Sequence, residues 1–304
     1  MLVHPTVFTR QMPKVSVVIP TLNEAVNLPH VLPRIPTWVN EVIIVDGRST
    51  DDTIAVARAL MPQVRVVMEE QPGKGAALRA GFAAATGDII VMLDADGSTD
   101  PAEITGYVGT LLTGIDFVKG SRFMQGGGTA DMPFIRRFGN GVFVLLVRLL
   151  ITRNKFSDLC YGYSAFWREV VPVLQLDGDG FEVETQMNIR ALQAGLKVAE
   201  MPSFEAPRVH GEGRLRTIPD GWRVLRTIIR EWLRPVVRGP VAISRPWAEP
   251  APPVEGPVFL RRRAADYGIV GHEHPPEMPR RRGSDRQPNT VNSASVGEDR
   301  ARES

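Results

Sequence analysis

The chain has 304 residues, 43% hydrophobic and 23% charged, enough to bury a real core in one large domain or two small ones. With 36 Lys+Arg against 34 Asp+Glu the formal charge is +2, so whole-chain charge gives no nucleic-acid signal and no nucleic-acid partner is expected. One cysteine, Cys160, excludes an intramolecular disulfide framework and a multi-cysteine zinc site.

Residues 1–13 read as a short irregular leader without the basic flank and apolar run of a signal peptide. No apolar run reaches 18 residues, so no segment is expected to span a bilayer, and the expected compartment is the cytoplasm, free or at a membrane surface. A buried strand is predicted at Val15–Ile19, stopped by Pro20. Further strands follow at Glu41–Val45, Val64–Met68 and Asp88–Leu93, each a short apolar run bounded by turn residues. Helical stretches lie between them at about 24–35, 51–61 and 74–86, with Asp51 and Asp52 suited to a helix start. Strand–helix alternation predicts an α/β fold, a parallel sheet with helices on both faces. Ligands of such sheets sit beyond the carboxyl ends of the strands, which here are Pro20–Glu24, Asp46–Ser49 and Asp94–Gly97.

The second half is less regular. Val118–Arg122 reads as a strand entering a loop, Gly126–Gly128 as a flexible stretch, and Phe138–Ile151 as a helix apolar on most faces. Residues 156–168 read as loop or strand, 181–194 as a helix, and Trp222–Leu233 as another. From about 241 the composition changes: nine prolines in 64 residues, and ten arginines against nine acidic residues, predict a disordered polyampholyte tail over 241–304.

Asp94-Ala95-Asp96 ends a predicted buried strand. Where the chain turns at a strand end, both carboxylates can reach the crevice. Two carboxylates beside a diphosphate suit Mg²⁺ or Mn²⁺, which take oxygen ligands and keep some water. The plainer reading is an acidic turn capping the next helix.

Four motifs in order decide between these. They are Val17–Glu24 (VVIPTLNE), Val45–Thr53 (VDGRSTDDT), Gly73–Gly81 (GKGAALRAG) and Leu93–Gly97 (LDADG). Together they resemble a family 2 glycosyltransferase, most closely the dolichol-phosphate mannosyltransferase and polyprenyl-phosphate glycosyltransferase branch, over about 14–234. The resemblance implies a GT-A fold: a nucleotide-sugar half at 14–120, an acceptor half at 121–240, a divalent metal and inversion at the anomeric carbon. It places Pro20, Thr21, Asn23 and Glu24 around the nucleoside. Asp46 would read the base edge, Lys74 would lie by the nucleotide, Asp94 would contact ribose or metal-bound water, and Asp94 and Asp96 would serve the metal. Simpler readings are a strand-end cap for Asp46 and a surface charge for Lys74. The second motif departs from the more usual Asp-Asp-Gly-Ser: one acidic group is missing and Arg48 is present, so base preference transfers less well.

Gly120–Phe123 matches the family's Gly-Ser-Arg segment, where Arg122 would hold the acceptor phosphate in a bidentate fork. Asp158–Tyr163 and Phe181–Glu184 resemble segments near the acceptor site, the latter nominating Glu182 and Glu184. His210–Leu215 resembles the closing loop without its serine; Arg214 stands near the basic position that would grip the diphosphate. His210 is equally a packed loop histidine, and Cys160 most simply a small buried residue.

The implied reaction is hexose transfer from a nucleotide-sugar of GDP-mannose or UDP-glucose type to a polyprenyl phosphate. An anionic acceptor needs no strong base, leaving positioning and charge stabilisation to do the catalysis. The runner-up is transfer to a hydroxyl acceptor, a small phosphorylated acid or glycan, with Glu182, Glu184 or Asp158 as base. The Gln-x-x-Arg-Trp signature of processive synthases is absent. A nucleotidyltransferase would want a Gly- and Arg-rich loop where Pro20–Glu24 stands, and Asp94 and Asp96 argue against a non-catalytic scaffold.

A lipid acceptor is collected from a bilayer, so peripheral membrane association is expected. Phe138–Ile151, roughly 21 Å long as a helix, is too short to cross and is flanked by Arg136, Arg137, Arg153 and Lys155. Trp222, Leu225, Ile229 and Trp232 would share one helix face, beside a basic one of Arg223, Arg226, Arg230 and Arg234. Packing of both helices on the core is the competing expectation.

Overall fold

The computed structural model describes residues 12–130, 132–151 and 156–234. Most of the leader, Arg153, Lys155 and the tail from 241 lie outside the described residues. The apolar runs form the strands β1 (Val15–Thr21), β2 (Glu41–Asp46), β3 (Arg65–Met68), β4 (Ile89–Met92) and β5 (Phe117–Ser121). A short β6 (Gly128–Thr129) is followed by β7 (Ser164–Trp167), β8 (Val198–Pro202) and β9 (Phe204–Glu205). Seven of them make one sheet in the order β3-β2-β1-β4-β7-β5-β8, and β6 pairs with β9 in a small second sheet. The large sheet is mostly parallel. The exception to the parallel expectation is β7, antiparallel to both β4 and β5.

Register places the chemistry. Thr21 lies level with Asp46, and Val18 with Met92, so the segments leaving β1, β2 and β4 emerge at one sheet edge. These three strands are almost wholly buried, as helices on both faces require. The helices are α1 (Leu28–Val31), α2 (Thr53–Leu60), α3 (Lys74–Ala84), α4 (Ile104–Leu112), α5 (Phe134–Leu150), α6 (Val170–Leu174), α7 (Glu182–Gln193) and α8 (Thr217–Leu233). α3 lies close on the sheet because Gly81 has no side chain: a Cβ there would collide with Val18 and Val45.

Several boundaries differ from expectation. β1 runs through Pro20 to Thr21, since the fixed φ of proline is compatible with a strand end. The stretch expected to be helical over 24–35 holds only α1 and a 3₁₀ turn at Leu32–Arg34. Gly128, expected in a flexible stretch, pairs with Phe204. α5 begins at Phe134 and has 17 residues, about 25 Å, and no helix among the described residues is long and apolar enough to cross a membrane.

A second apolar cluster joins α5, α7 and α8 through Val147, Ile189, Val224 and Ile228, with Phe156 and Leu159 from the intervening loop. The outer faces of α5 and α8 are apolar too. On α5, Phe134, Phe138, Val142, Leu145 and Leu149 are exposed at spacings of four and three residues, one continuous stripe. On α8, Ile218, Trp222, Ile229 and Trp232 are exposed with Leu225 half-buried between them, while Val224, Thr227, Ile228 and Glu231 face inward. The expected apolar face of α8 therefore points away from the core. Arg137, Arg148, Arg216, Arg223, Arg226 and Arg230 are exposed on the same two helices and the residue before α8.

Candidate active site

A cavity of about 850 Å³ opens at the carboxyl edge of β1, β2 and β4 and continues between α5 and α8. Pro20, Thr21, Leu22 and Glu24 line one part, with Gly47, Arg48 and Lys74. Asp94, Asp96, Arg122, Glu184, Arg208 and Arg214 line the middle. Ile135, Phe143, Leu215, Ile218 and Val224 make the far part mainly apolar, with Arg136, Asn140, Thr217 and Asp220 set among them.

Lys74, the first residue of α3, donates to Glu184 at 2.6 Å and pairs with Asp94 at 2.5 Å. Burial alone would push its ammonium toward neutrality, but Asp94 and Glu184 outweigh it and hold the charge above the usual lysine range. Burial, aided by Asp94, raises the Glu184 carboxyl against the pull of Lys74. Gly162 makes room for this trio: a Cβ there would lie 2.7 to 2.9 Å from Lys74 Nζ, Glu184 Oε1 and Asp94 Oδ2. Lys74 is thus not a mere surface charge.

Asp96 Oδ1 accepts from Ser98 N and Oγ at 3.0 and 2.7 Å, while Oδ2 faces Arg208 at 3.4 Å. Arg208 also reaches Glu24 at 2.5 Å. Val209 N donates to the Asp96 carbonyl, and Arg214 to the Leu22 carbonyl at 2.7 Å, so the 206–214 segment straps across the ends of β1 and β4. His210 donates its backbone N–H to Asn27 and sets its ring 5.4 Å from that of His30, and it is exposed rather than packed. Among the described residues no cluster of three or more His, Cys, Asp or Glu is arranged for a metal. Asp94 and Asp96, each about a quarter exposed to the cavity, still offer the hard oxygen donors of Mg²⁺ or Mn²⁺, whose other ligands would come from water and diphosphate.

Four expectations are revised by the geometry. Asp46 is fully buried and does not line the cavity; its oxygens accept from Ser49 N and Oγ and from Thr21 Oγ1, so it pins the turn after β2. Asn23 likewise lies outside the lining, and its Oδ1 accepts from Thr50 N at 2.7 Å, tying the two strand-end turns together. Glu182 faces the N–H of Gly180 rather than the cavity. The bidentate fork of Arg122 exists, but onto Asp158: Nε to Oδ2 at 2.7 Å and Nη2 to Oδ1 at 3.0 Å, with Nη1 on Glu205. Burial would raise the Asp158 carboxyl, but Arg122 and Lys119 outweigh it and hold it below its usual range. Cys160 is half-buried on the cavity wall, its thiol pushed up to about 12 by burial.

Two lining residues were not anticipated as functional. Arg208 stands two positions before His210, just outside the segment carrying the resemblance. Arg136 looked like a flanking charge, but its guanidinium turns in to Leu215 O and Thr217 Oγ1 and borders the apolar part of the cavity.

Comparison with known proteins agrees with this geometry. Residues 16–174 match the model for glycosyl transferase family 2. A dolichol-phosphate mannosyltransferase of Pyrococcus furiosus is 31% identical over 211 residues, 67% of this chain, and the chain spans 59% of that relative's length. An undecaprenyl-phosphate mannosyltransferase of Micrococcus luteus is 32% identical over 216 residues, 66% of this chain and 87% of the relative. Glucosyl-3-phosphoglycerate synthase of Mycobacterium tuberculosis, solved with Mn²⁺, UDP and phosphoglyceric acid, superimposes with a TM-score of 0.58 at 27% identity, covering 73% of this chain and 80% of that one. The sheet, with its one antiparallel insertion, is the GT-A fold, and the chain belongs to glycosyl transferase family 2.

Proposed function

We propose that the protein transfers a hexose, mannose on the analogy of its relatives, from a nucleotide-sugar to a polyprenyl phosphate at a membrane surface, with inversion. The observation that carries this reading is the course of the cavity: it runs from Asp94 and Asp96 to an apolar end between α5 and α8, whose outer faces are themselves apolar and basic. A phosphorylated head can sit at the carboxylate end while its isoprenoid tail leaves between two helices lying in a bilayer surface. Residues 14–120 form the nucleotide-sugar half and 121–240 the acceptor half.

The state of the carboxylates supports an acceptor that is already anionic. Asp158 is engaged by Arg122, Glu182 lies outside the cavity wall, and Glu184 is clamped by Lys74. None is a free base of the kind a hydroxyl acceptor needs. An acceptor phosphate oxygen attacks the anomeric carbon as the bond to the nucleoside diphosphate breaks. Asp94 and Asp96 would hold a divalent cation, which supplies charge neutralisation at the leaving diphosphate. Arg208 and Arg214, on the strap, add positive charge at the same place. Arg136, between that centre and the apolar end, suits the acceptor phosphate, and Arg122 positions the loop around Asp158 and Cys160. The hydroxyl-acceptor reading keeps one observation in its favour, the structural likeness to a synthase solved with phosphoglyceric acid. Supplying both acceptor types with a labelled donor separates the two: label in the lipid phase supports the first, label on the water-soluble acid the second.

A further inference from the structure

We propose that Arg48 reads the nucleobase of the donor and selects guanine; this rests on the nucleotide-sugar reading above. Arg48 follows β2 and lines the cavity. Its backbone φ is +67°, in the left-handed region that residues with a Cβ rarely occupy. The turn that imposes it is fixed from beneath by Asp46, through Ser49 N at 2.8 Å and Ser49 Oγ at 2.6 Å. Deeper in the cavity Lys74 is committed to Asp94 and Glu184, Arg122 to Asp158 and Arg208 to Glu24, while Arg136 and Arg214 donate to the carbonyls of Leu215 and Leu22. Arg48 is exposed, and among the described residues its guanidinium has no hydrogen-bond or ion-pair partner.

Position gives it the base rather than the phosphates. The carboxylates that would face the diphosphate follow β4. The sheet order β2-β1-β4 sets the end of β2 two strand spacings away, about 10 Å, a separation that ribose and one phosphate fill. Asp46, the residue expected to read the base, is buried with both oxygens taken, so of the residues at the end of β2 the polar side chain presented to the cavity is Arg48.

Chemistry then selects among bases. A guanidinium offers donors only, in a planar fork that matches two adjacent acceptors. Guanine presents that pair as O6 and N7. Adenine sets a donor beside N7, and uracil sets its N3–H beside each carbonyl. Cytosine has adjacent N3 and O2, but O2 lies next to the glycosidic bond and crowds the fork against ribose.

The test is calorimetric titration of the full chain with GDP, UDP, ADP and CDP in Mg²⁺, for wild type, R48G and R48K. Glycine suits the positive φ, so R48G should keep the thermal midpoint. The expected result is a preference for GDP over the other three of tenfold or more. R48G should lose that preference while its UDP affinity stays within twofold, and R48K, a point charge, should not restore it. Equal loss for all four nucleotides in R48G would assign Arg48 to phosphate and overturn the proposal. So would a wild-type preference for UDP, ADP or CDP, or a GDP preference that survives in R48G. Wild type binding none of the four would overturn the nucleotide-sugar reading, and the base assignment with it.

Discussion

Replacing Phe138 and Trp222 together by alanine should release the protein from a bilayer without unfolding it. The two rings stand on the outer faces of α5 and α8, 65% and 67% exposed. An aromatic side chain presents roughly 200 Å², so each ring offers about 130 Å² to a partner. With half of that immersed, at about 25 cal/mol per Å², each ring contributes about 1.6 kcal/mol of membrane affinity. The pair then accounts for about 3 kcal/mol, or roughly a hundredfold in partitioning. Stability should scarcely change, because exposed helical positions favour alanine slightly and no core contact is lost. The assay is flotation with anionic vesicles at low and high salt, beside a thermal melt. Wild type should bind and weaken as salt rises, since the exposed arginines of these helices contribute. The double variant should bind about a hundredfold more weakly at every salt concentration, with an unchanged Tm. Partitioning within threefold of wild type would refute the assignment of these faces to a membrane.

Asp96→Asn keeps an acceptor for Ser98 N and Oγ, so its fold should survive; Mn²⁺ affinity read by electron paramagnetic resonance should fall at least tenfold and transfer at least a hundredfold, and unchanged Mn²⁺ binding would remove Asp96 from the cation site. Asp158→Asn breaks a buried pair with Arg122 and should cost about 3–5 kcal/mol at pH 7. Because the folded carboxyl titrates below the unfolded value of about 3.9, its contribution is complete above that value and lost as pH falls through the folded one. The stability gap to wild type, measured by urea denaturation, should therefore be constant near neutrality and narrow progressively as pH falls below about 4; a gap that stays the same from pH 7 down to pH 2.5 would contradict the pairing. Asp46→Ala leaves Ser49 N and Oγ without their acceptor and should lower stability by about 2–3 kcal/mol, weakening all nucleotides alike; an unchanged Tm with a raised donor KM would instead place Asp46 on the base.

Much of the fold was legible because β1, β2 and β4 are built on short, mostly apolar runs, the pattern of strands buried on both faces. β7 lay in a stretch read only as loop or strand, since Ser164-Ala165-Phe166-Trp167 is neither β-branched nor alternating, and its place between β4 and β5 depends on pairings distant in sequence. α4 was missed because two glycines and two threonines weaken its local propensity; it is carried by Ile104, Tyr107, Val108 and Leu111 on one buried face. For the site, residue order nominated Asp94, Asp96 and Lys74, and all three line the cavity. What order cannot display is which donors and acceptors are already engaged and which side chains turn away from the cavity. That is why Asp46, Glu182 and Arg122 looked available to substrate, while Arg136 and Arg208 looked incidental.

The most direct measurement supplies GDP-mannose labelled in the sugar to the purified chain with vesicles containing a polyprenyl phosphate, phosphoglyceric acid in the water phase, and Mg²⁺ or Mn²⁺. Label should enter the organic-soluble lipid fraction, in a linkage cleaved by mild acid, and chelator should abolish the transfer. Label confined to the water-soluble acid, with none in the lipid, would contradict a polyprenyl-phosphate acceptor.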